Sequence, residues 1–230
     1  MSNDNRRRGT IRLKPGTAPG TAPDTAPLPD LRPDARPRRV PPGDAVLTRQ
    51  APRARVTGRG ILQVNLNWPE SAGADLDLGC MVSCTDGRGV AVQPLGRAFG
   101  SLGQWPYVEL DQDDRTGASS DGETVRVNLG RREHFRRLLF YVYVYDGAVD
   151  FRSLGAVATV TAPSGGFRIA LDDSPGGVNG CAIALAVPEA GALTVRREVR
   201  WFAGTPHQSV NEVMDRAYGF GFPWVWMTKD

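Results

Sequence analysis

Histidine, cysteine and long apolar runs are all scarce in this sequence, and each scarcity removes a class of function. The two histidines, His134 in an Arg-rich segment and His207 in a Gly/Pro/Ser loop, stand in no recognisable nucleophile motif. There is no Walker loop and no Rossmann fingerprint. These absences argue against an enzyme. The three cysteines, Cys80, Cys84 and Cys181, form an odd set, a poor basis for a disulfide framework. Cys80 and Cys84 lack the companion Cys/His pair of a structural zinc site, so core packing is their expected role. No uncharged apolar run approaches the length needed to cross a bilayer, and the start, "MSNDNRRRGTIRL", lacks the apolar stretch of an export signal. A cytoplasmic location is the expectation.

Aromatic residues are missing altogether from residues 1–60, which hold ten of the 18 prolines and the repeated "GTAP/TAPD/TAPL" segments. Such a stretch cannot bury enough surface to offset its ordering entropy, and a disordered Pro-rich N-terminal region is predicted. Charge divides at the same place. Residues 1–60 carry 13 basic against 5 acidic groups, about +8, and residues 61–230 carry 15 against 20, about −5. A basic arm is compatible with nucleic acid or an acidic membrane surface, but its arginines are diluted by proline and aspartate. A soluble tether is the plainer reading, and no specific nucleic acid is predicted. The chain therefore divides into a Pro/Arg-rich region, 1–60, and a folded domain, 61–230.

From Ile61 the dominant signal has a period of two. "LQVNLNW" places Leu62, Val64, Leu66 and Trp68 on one face, as in a half-buried strand. About nine or ten short strands follow, separated by "TDGRG", "YDGAVD", "APSGG", "DDSPGGVNG" and "PEAG" turns. Few helices interleave, so the predicted fold is all-β, a two-sheet antiparallel β-sandwich. "LLFYVYVY" at 138–145 is apolar on both faces and belongs at a sheet centre. Arg131 to Arg137 reads as a helical turn. Val210, Val213, Met214, Ala217 and Tyr218 mark a short amphipathic C-terminal helix, followed by an aromatic tail expected to pack across one end of the sandwich.

Two acidic segments carry the chemistry. "GADLDLG" places Asp75 and Asp77 on one strand face, with Leu76 and Leu78 on the other. "DQDDRTGASSDGETV" gathers Asp111, Asp113, Asp114, Asp121 and Glu123 around a Gly/Ser turn. If these groups converge they require a compensating cation, and an oxygen-only donor set suits calcium, which tolerates flexible six- to eight-fold coordination. The second segment is not an EF-hand, because Thr116 and Gly122 occupy the positions of the invariant glycine and the bidentate glutamate. Any site must be assembled from loops at the sandwich rim. Spacing alone leaves open the alternative that these are separate, solvated acidic turns.

At these residues the sequence resembles the tellurium-resistance TerD-domain family, whose members carry a "GADxDLD" strand and a "DNRTGxGxGDDE" loop. The matching stretches are Gly73 to Leu78 and Asp113 to Gly117, with Asp121 and Glu123 near the acidic end of the loop. The phrases "LGRAFGS", "YVELDQDDRTG", "CAIAL", "REVRWFAG" and "MDRAYGFG" are closest to its TerA branch, so that the resemblance spans nearly all of residues 61–222. It implies a calcium-binding, non-enzymatic stress-response module, with Asp75, Asp77, Asp113, Asp114, Asp121 and Glu123 as the ligand set. Its partners would be proteins of a stress-response complex, at most peripherally associated with the inner membrane face. A C2-like module, in which calcium bridges rim loops to acidic lipids, is the alternative. Gly79 stands where the family motif has a third aspartate, and Gly122 interrupts the final acidic cluster. Fewer or weaker calcium sites are expected for that reason. Arg8 to Lys14 resembles the family's opening strand, which would make the Pro-rich stretch an insertion after it.

Overall fold

Alternation in sequence becomes alternation in burial: Leu62, Val64 and Leu66 are buried, whereas Asn67 on the opposite face is exposed. The computed structural model describes residues 10–11, 45–117, 119, 121–147, 150–225 and 229. Most of residues 1–60, for which disorder is predicted, therefore lie outside the described residues. One sheet has six strands in the order β3 (Arg53–Val56), β14 (Ala192–Phe202), β13 (Gly180–Glu189), β10 (Phe135–Asp146), β5 (Asp75–Cys84) and β6 (Gly89–Val92). The other has seven, in the order β2 (Ala45–Val46), β12 (Gly165–Ala170), β11 (Val157–Ala162), β4 (Ile61–Asn67), β9 (Glu123–Asn128), β8 (Val108–Leu110) and β7 (Gly100–Ser101). All pairings within them are antiparallel except that of β2 with β12.

The predicted strands are present, and β2 and β3 join them from the Arg/Pro-rich stretch. In β3 Ala54 and Val56 pack on the core while Arg53 and Arg55 face solvent, a four-residue alternation inside an otherwise polar region. Of the segment Arg8 to Lys14, only β1 (Thr10–Ile11) is described, and it pairs with β15 (Trp224–Val225).

The first core lies between the sheets and takes the inward side chains of both, including Leu76, Leu78, Cys80 and Val82 from β5. Cys80, Cys84 and Cys181 are free and buried, as expected of core cysteines. A second apolar cluster lies on the outer face of the six-stranded sheet, where Met81, Leu139, Tyr141, Tyr143 and Ala182 project. This explains why β10 is apolar on both faces, since each face meets its own core.

Two helices are described, α1 (Phe151–Leu154) and α2 (Val210–Tyr218). The Arg-rich segment expected to be helical forms a 3-10 turn over Leu129–His134. The second cluster is covered by α2, which begins at a Ser209 cap accepting from the Glu212 N–H and ends at Gly219 in the left-handed region. Val210 and Met214 supply its buried stripe. The aromatic tail, expected across one end of the sandwich, lies instead on the sheet face, because Tyr218, Phe220, Phe222 and Trp224 pack on the same cluster as α2. Asp215 fastens it: its carboxylate accepts from the Gly221 and Phe222 N–H groups and from the Trp224 indole, at 2.6, 2.7 and 2.5 Å. No helix among the described residues is long and apolar enough to cross a membrane.

Candidate metal centre

Asp75 and Asp77 stand at the start of β5, on the outward face that continues through Gly79 to Met81. β10 accompanies β5 from Asp75 to Cys84, whereas β6 pairs only with Cys80–Ser83. Where β6 stops, the acidic loop takes over. Glu123, the first residue of β9, accepts from the Leu78 N–H at 2.6 Å through Oε2 and from the Asp114 N–H at 3.0 Å through Oε1. One buried carboxylate thereby joins strand β5 to the 111–122 loop.

The loop holds itself in shape through Asp114, whose Oδ1 accepts from the Thr116 and Gly117 N–H groups and whose Oδ2 accepts from the Ser119 N–H. Asp111 likewise accepts from the Thr124 N–H and from Arg126. This geometry leaves Asp113 projecting toward β5. Asp75, Asp77 and Asp113 each offer a carboxylate oxygen, and these oxygens lie within 4.8 Å of one another. Two segments about forty residues apart in sequence thus meet at one edge of the sandwich. Asp114 and Glu123 sit beside the cluster with their oxygens engaged by backbone N–H groups, and Asp121 is exposed, its carbonyl accepting from Asn65.

Asp77 is fully buried, and its Oδ1 lies 2.5 Å from Lys229 Nζ. The Tyr143 hydroxyl, opposite it in register on β10, is its other polar neighbour. Burial pushes the Asp77 carboxyl up to about 7, with Lys229 opposing and the Asp75 charge adding to the shift. Burial also raises Asp75 above the ordinary carboxylate range against the pull of Lys229. Glu123 is raised well above that range, by burial first and then by the Asp77 charge.

Sequence reading missed the cation that faces this cluster. Lys229 Nζ lies 2.8 Å from Asp75 Oδ1, 2.5 Å from Asp77 Oδ1 and 2.7 Å from Asp113 Oδ1, and its side chain is 2% exposed. Burial works against its charge, yet Asp77, Asp113 and Asp75 hold the proton on and raise it above the usual lysine range. No spacing rule links a lysine near the end of an aromatic tail to an acidic strand 154 residues earlier. The available signal was scarcity, since Lys229 and Lys14 are the only lysines among 28 basic residues.

An all-oxygen donor set of three carboxylates, one of them fully buried, fits a hard divalent cation, and the cluster's lack of sulfur or imidazole among the described residues disfavours softer metals. Both departures from the acidic motif have steric reasons. A Cβ on Gly79 would lie 2.6 Å from Tyr141 Oη, and Gly122 holds φ near +57° against the Leu66 carbonyl, so neither position accepts an aspartate without rearrangement.

No family model matches the chain. It is 34% identical over 196 residues to tellurium resistance protein TerA of an Alcaligenes species, a match covering 77% of this chain and 56% of that protein. The chain thus spans a little over half the length of that curated relative. Among solved structures, a homologue of the telluride resistance protein TerD from Streptomyces coelicolor matches with a TM-score of 0.50 at 20% identity, covering 72% of this chain and all of the other. A protein of unknown function matches with a TM-score of 0.52 at 16% identity, over 69% of this chain and 98% of the other. These two likenesses speak for the fold.

Proposed function

From the premise that the chain belongs to the tellurium-resistance TerD-domain family and is TerA-like, we propose that it is a calcium-binding, non-catalytic stress-response module working in the cytoplasm. The observation that supports this reading is the convergence of Asp75, Asp77 and Asp113, whose carboxylate oxygens lie within 4.8 Å of one another with Asp77 fully buried. These three residues would hold the ion, whose charge would neutralise them and fasten the acidic loop to β5. Asp114 and Glu123 act from behind, fixing the loop and its distance from the strand through backbone N–H groups. The surface so ordered is the one offered to a partner protein of a stress-response complex.

Binding to the folded state alone stabilises it by about 2.7 kcal/mol at a hundredfold excess over Kd. For a chain of this size that is roughly 5–10 °C in Tm. The expected result is a rise of that order at millimolar calcium, abolished by Asp77→Asn. An unchanged melting curve with calorimetric silence would remove calcium from the proposal.

The same site sets a pH dependence. Because the folded-state pKa of Asp77 is raised to about 7, its contribution to ion-free stability is fully present below the unfolded carboxylate range and declines as pH rises through 7. Cation binding has the opposite sign, since it requires the ionised carboxylate. Calcium affinity should therefore climb between pH 6 and pH 8 and flatten above. Calorimetry across that interval tests it, and equal affinities at the two ends would count against Asp77 as a ligand.

A further inference from the structure

The Lys229 ammonium sits among the three carboxylates and Arg115 Nε pairs with Asp113 Oδ2 at 3.0 Å, so two cations face three anions when all three are ionised. The ammonium is closely fitted. Asp75 grips Nζ with both oxygens, at 2.8 and 3.0 Å, and Asp113 contributes a third hydrogen bond at 2.7 Å. An ammonium has three protons to donate. Asp77 Oδ1 lies closest of all to Lys229 Nζ, at 2.5 Å. Tyr145 holds the same residue at its other end: its hydroxyl accepts from the Lys229 N–H at 3.1 Å, and its ring centroid lies 4.5 Å from Nζ.

We propose that Lys229 is a tethered counter-ion: it occupies the Asp75–Asp77–Asp113 cluster until a divalent cation displaces it, so that cation binding frees the Lys229 side chain from the cluster. The inference rests on reading the cluster as a divalent-cation site. Two cations cannot share the space between three oxygens that lie within 4.8 Å of one another. A divalent ion brings twice the charge to that space and does not need the directional hydrogen bonds of an ammonium. Lys229 has the compensating advantage of attachment, because a tethered group competes at an effective concentration that reaches the millimolar range for short flexible links. The balance sets a threshold, and calcium must exceed it before it enters.

What is released is bounded by the second anchor. Asp215 holds Gly221, Phe222 and Trp224 independently of the acidic cluster, so the aromatic residues stay on the sheet face when Lys229 leaves. Displacement therefore exposes the Lys229 amine and the Tyr145 side of the cluster without unfolding the second core. The threshold is set by the same residue that moves.

Because the sequence has only two lysines, amine labelling read by mass spectrometry resolves Lys229 as a separate site in the intact chain. In ion-free protein Lys229 is expected to react at least about tenfold more slowly than the same residue in the chain unfolded in urea, as its 2% side-chain exposure requires. Comparable rates would overturn the tethered counter-ion. Asp77→Asn should accelerate Lys229 labelling without any metal, and calcium titrated into wild type should do the same at the concentration where calorimetry registers binding.

Calorimetry with Lys229→Gln separates this inference from the reading beneath it. Calcium affinity at least about tenfold higher than in wild type supports competition, whereas equal affinity in the two chains overturns the displacement while leaving the calcium site standing. If neither chain takes up calcium or magnesium, the cation site falls and displacement falls with it. Should Lys229→Gln fold poorly, labelling of the wild-type chain still decides, because calcium binding with Lys229 still protected contradicts displacement.

Discussion

Replacing Glu123 with alanine is expected to lower the stability of the ion-free chain by on the order of 3 kcal/mol, even though the residue lies beside a cluster already crowded with negative charge. Two effects oppose each other. Deleting the carboxylate relieves repulsion with Asp77, which is among the causes that raise the Glu123 pKa. It also strands the Leu78 and Asp114 N–H groups, each of which donates to one oxygen of a fully buried side chain. An unsatisfied buried donor costs about 1–3 kcal/mol, and the emptied volume adds a cavity penalty. Two stranded donors outweigh one relieved repulsion. Glu123→Gln, which retains one acceptor oxygen, should lose less. Urea denaturation of the ion-free variants measures both. A loss below about 1 kcal/mol for the alanine variant would mean that the loop and β5 are held by something other than this carboxylate.

The sandwich was readable because burial follows a period of two. In β4 the residues Leu62, Val64 and Leu66 are buried as the alternation requires, and in β10 the loss of alternation correctly marked a strand inside the sheet, between β13 and β5. β3 escaped because four residues of alternation, Arg53 to Val56, are too few to stand out from a Pro/Arg-rich background, and only pairing with β14 makes them a strand. The acidic segments were identifiable by composition, and the pairing of Asp75 with Asp77 follows from strand geometry alone. Sequence could not assign direction within the second segment. Asp113, Asp114, Asp121 and Glu123 are chemically alike, and their different fates depend on backbone turns: Asp114 curls onto its own loop, Glu123 faces Leu78, and only Asp113 reaches the β5 pair. Lys229 was invisible for a related reason, since a long-range ion pair leaves no local periodicity to detect.

The two glycines in the acidic motif carry the opposite lesson, because what reads as a lost ligand is a packing requirement. Restoring the aspartate with Gly79→Asp is expected to lower Tm by roughly 10 °C or more and to leave calcium affinity no higher. The backbone of Gly79 is ordinary strand, so strain in φ is not the obstacle. The obstacle is Tyr141, directly opposite on β10, whose ring lies where the new side chain would begin, with Oη 2.6 Å and Cε2 2.8 Å from the added Cβ. The ring cannot swing away cheaply. Its hydroxyl donates to Gln93 Oε1 at 2.7 Å, which also accepts from Asn211 Nδ2 of α2 at 3.2 Å, and all three residues are buried. Displacing Tyr141 would therefore disturb the polar link between β10, the end of β6 and the helix that covers the second core. A carboxylate adds a second difficulty beside Asp77, which is already only weakly acidic through burial. Gly79→Ala isolates the steric part, and combining it with Tyr141→Leu, which withdraws the far end of the ring, should give a loss smaller than the sum of the two single losses. Strict additivity, or a Gly79→Asp chain that melts with wild type and binds calcium more tightly, would show that the ring yields and that Gly79 is simply a missing ligand.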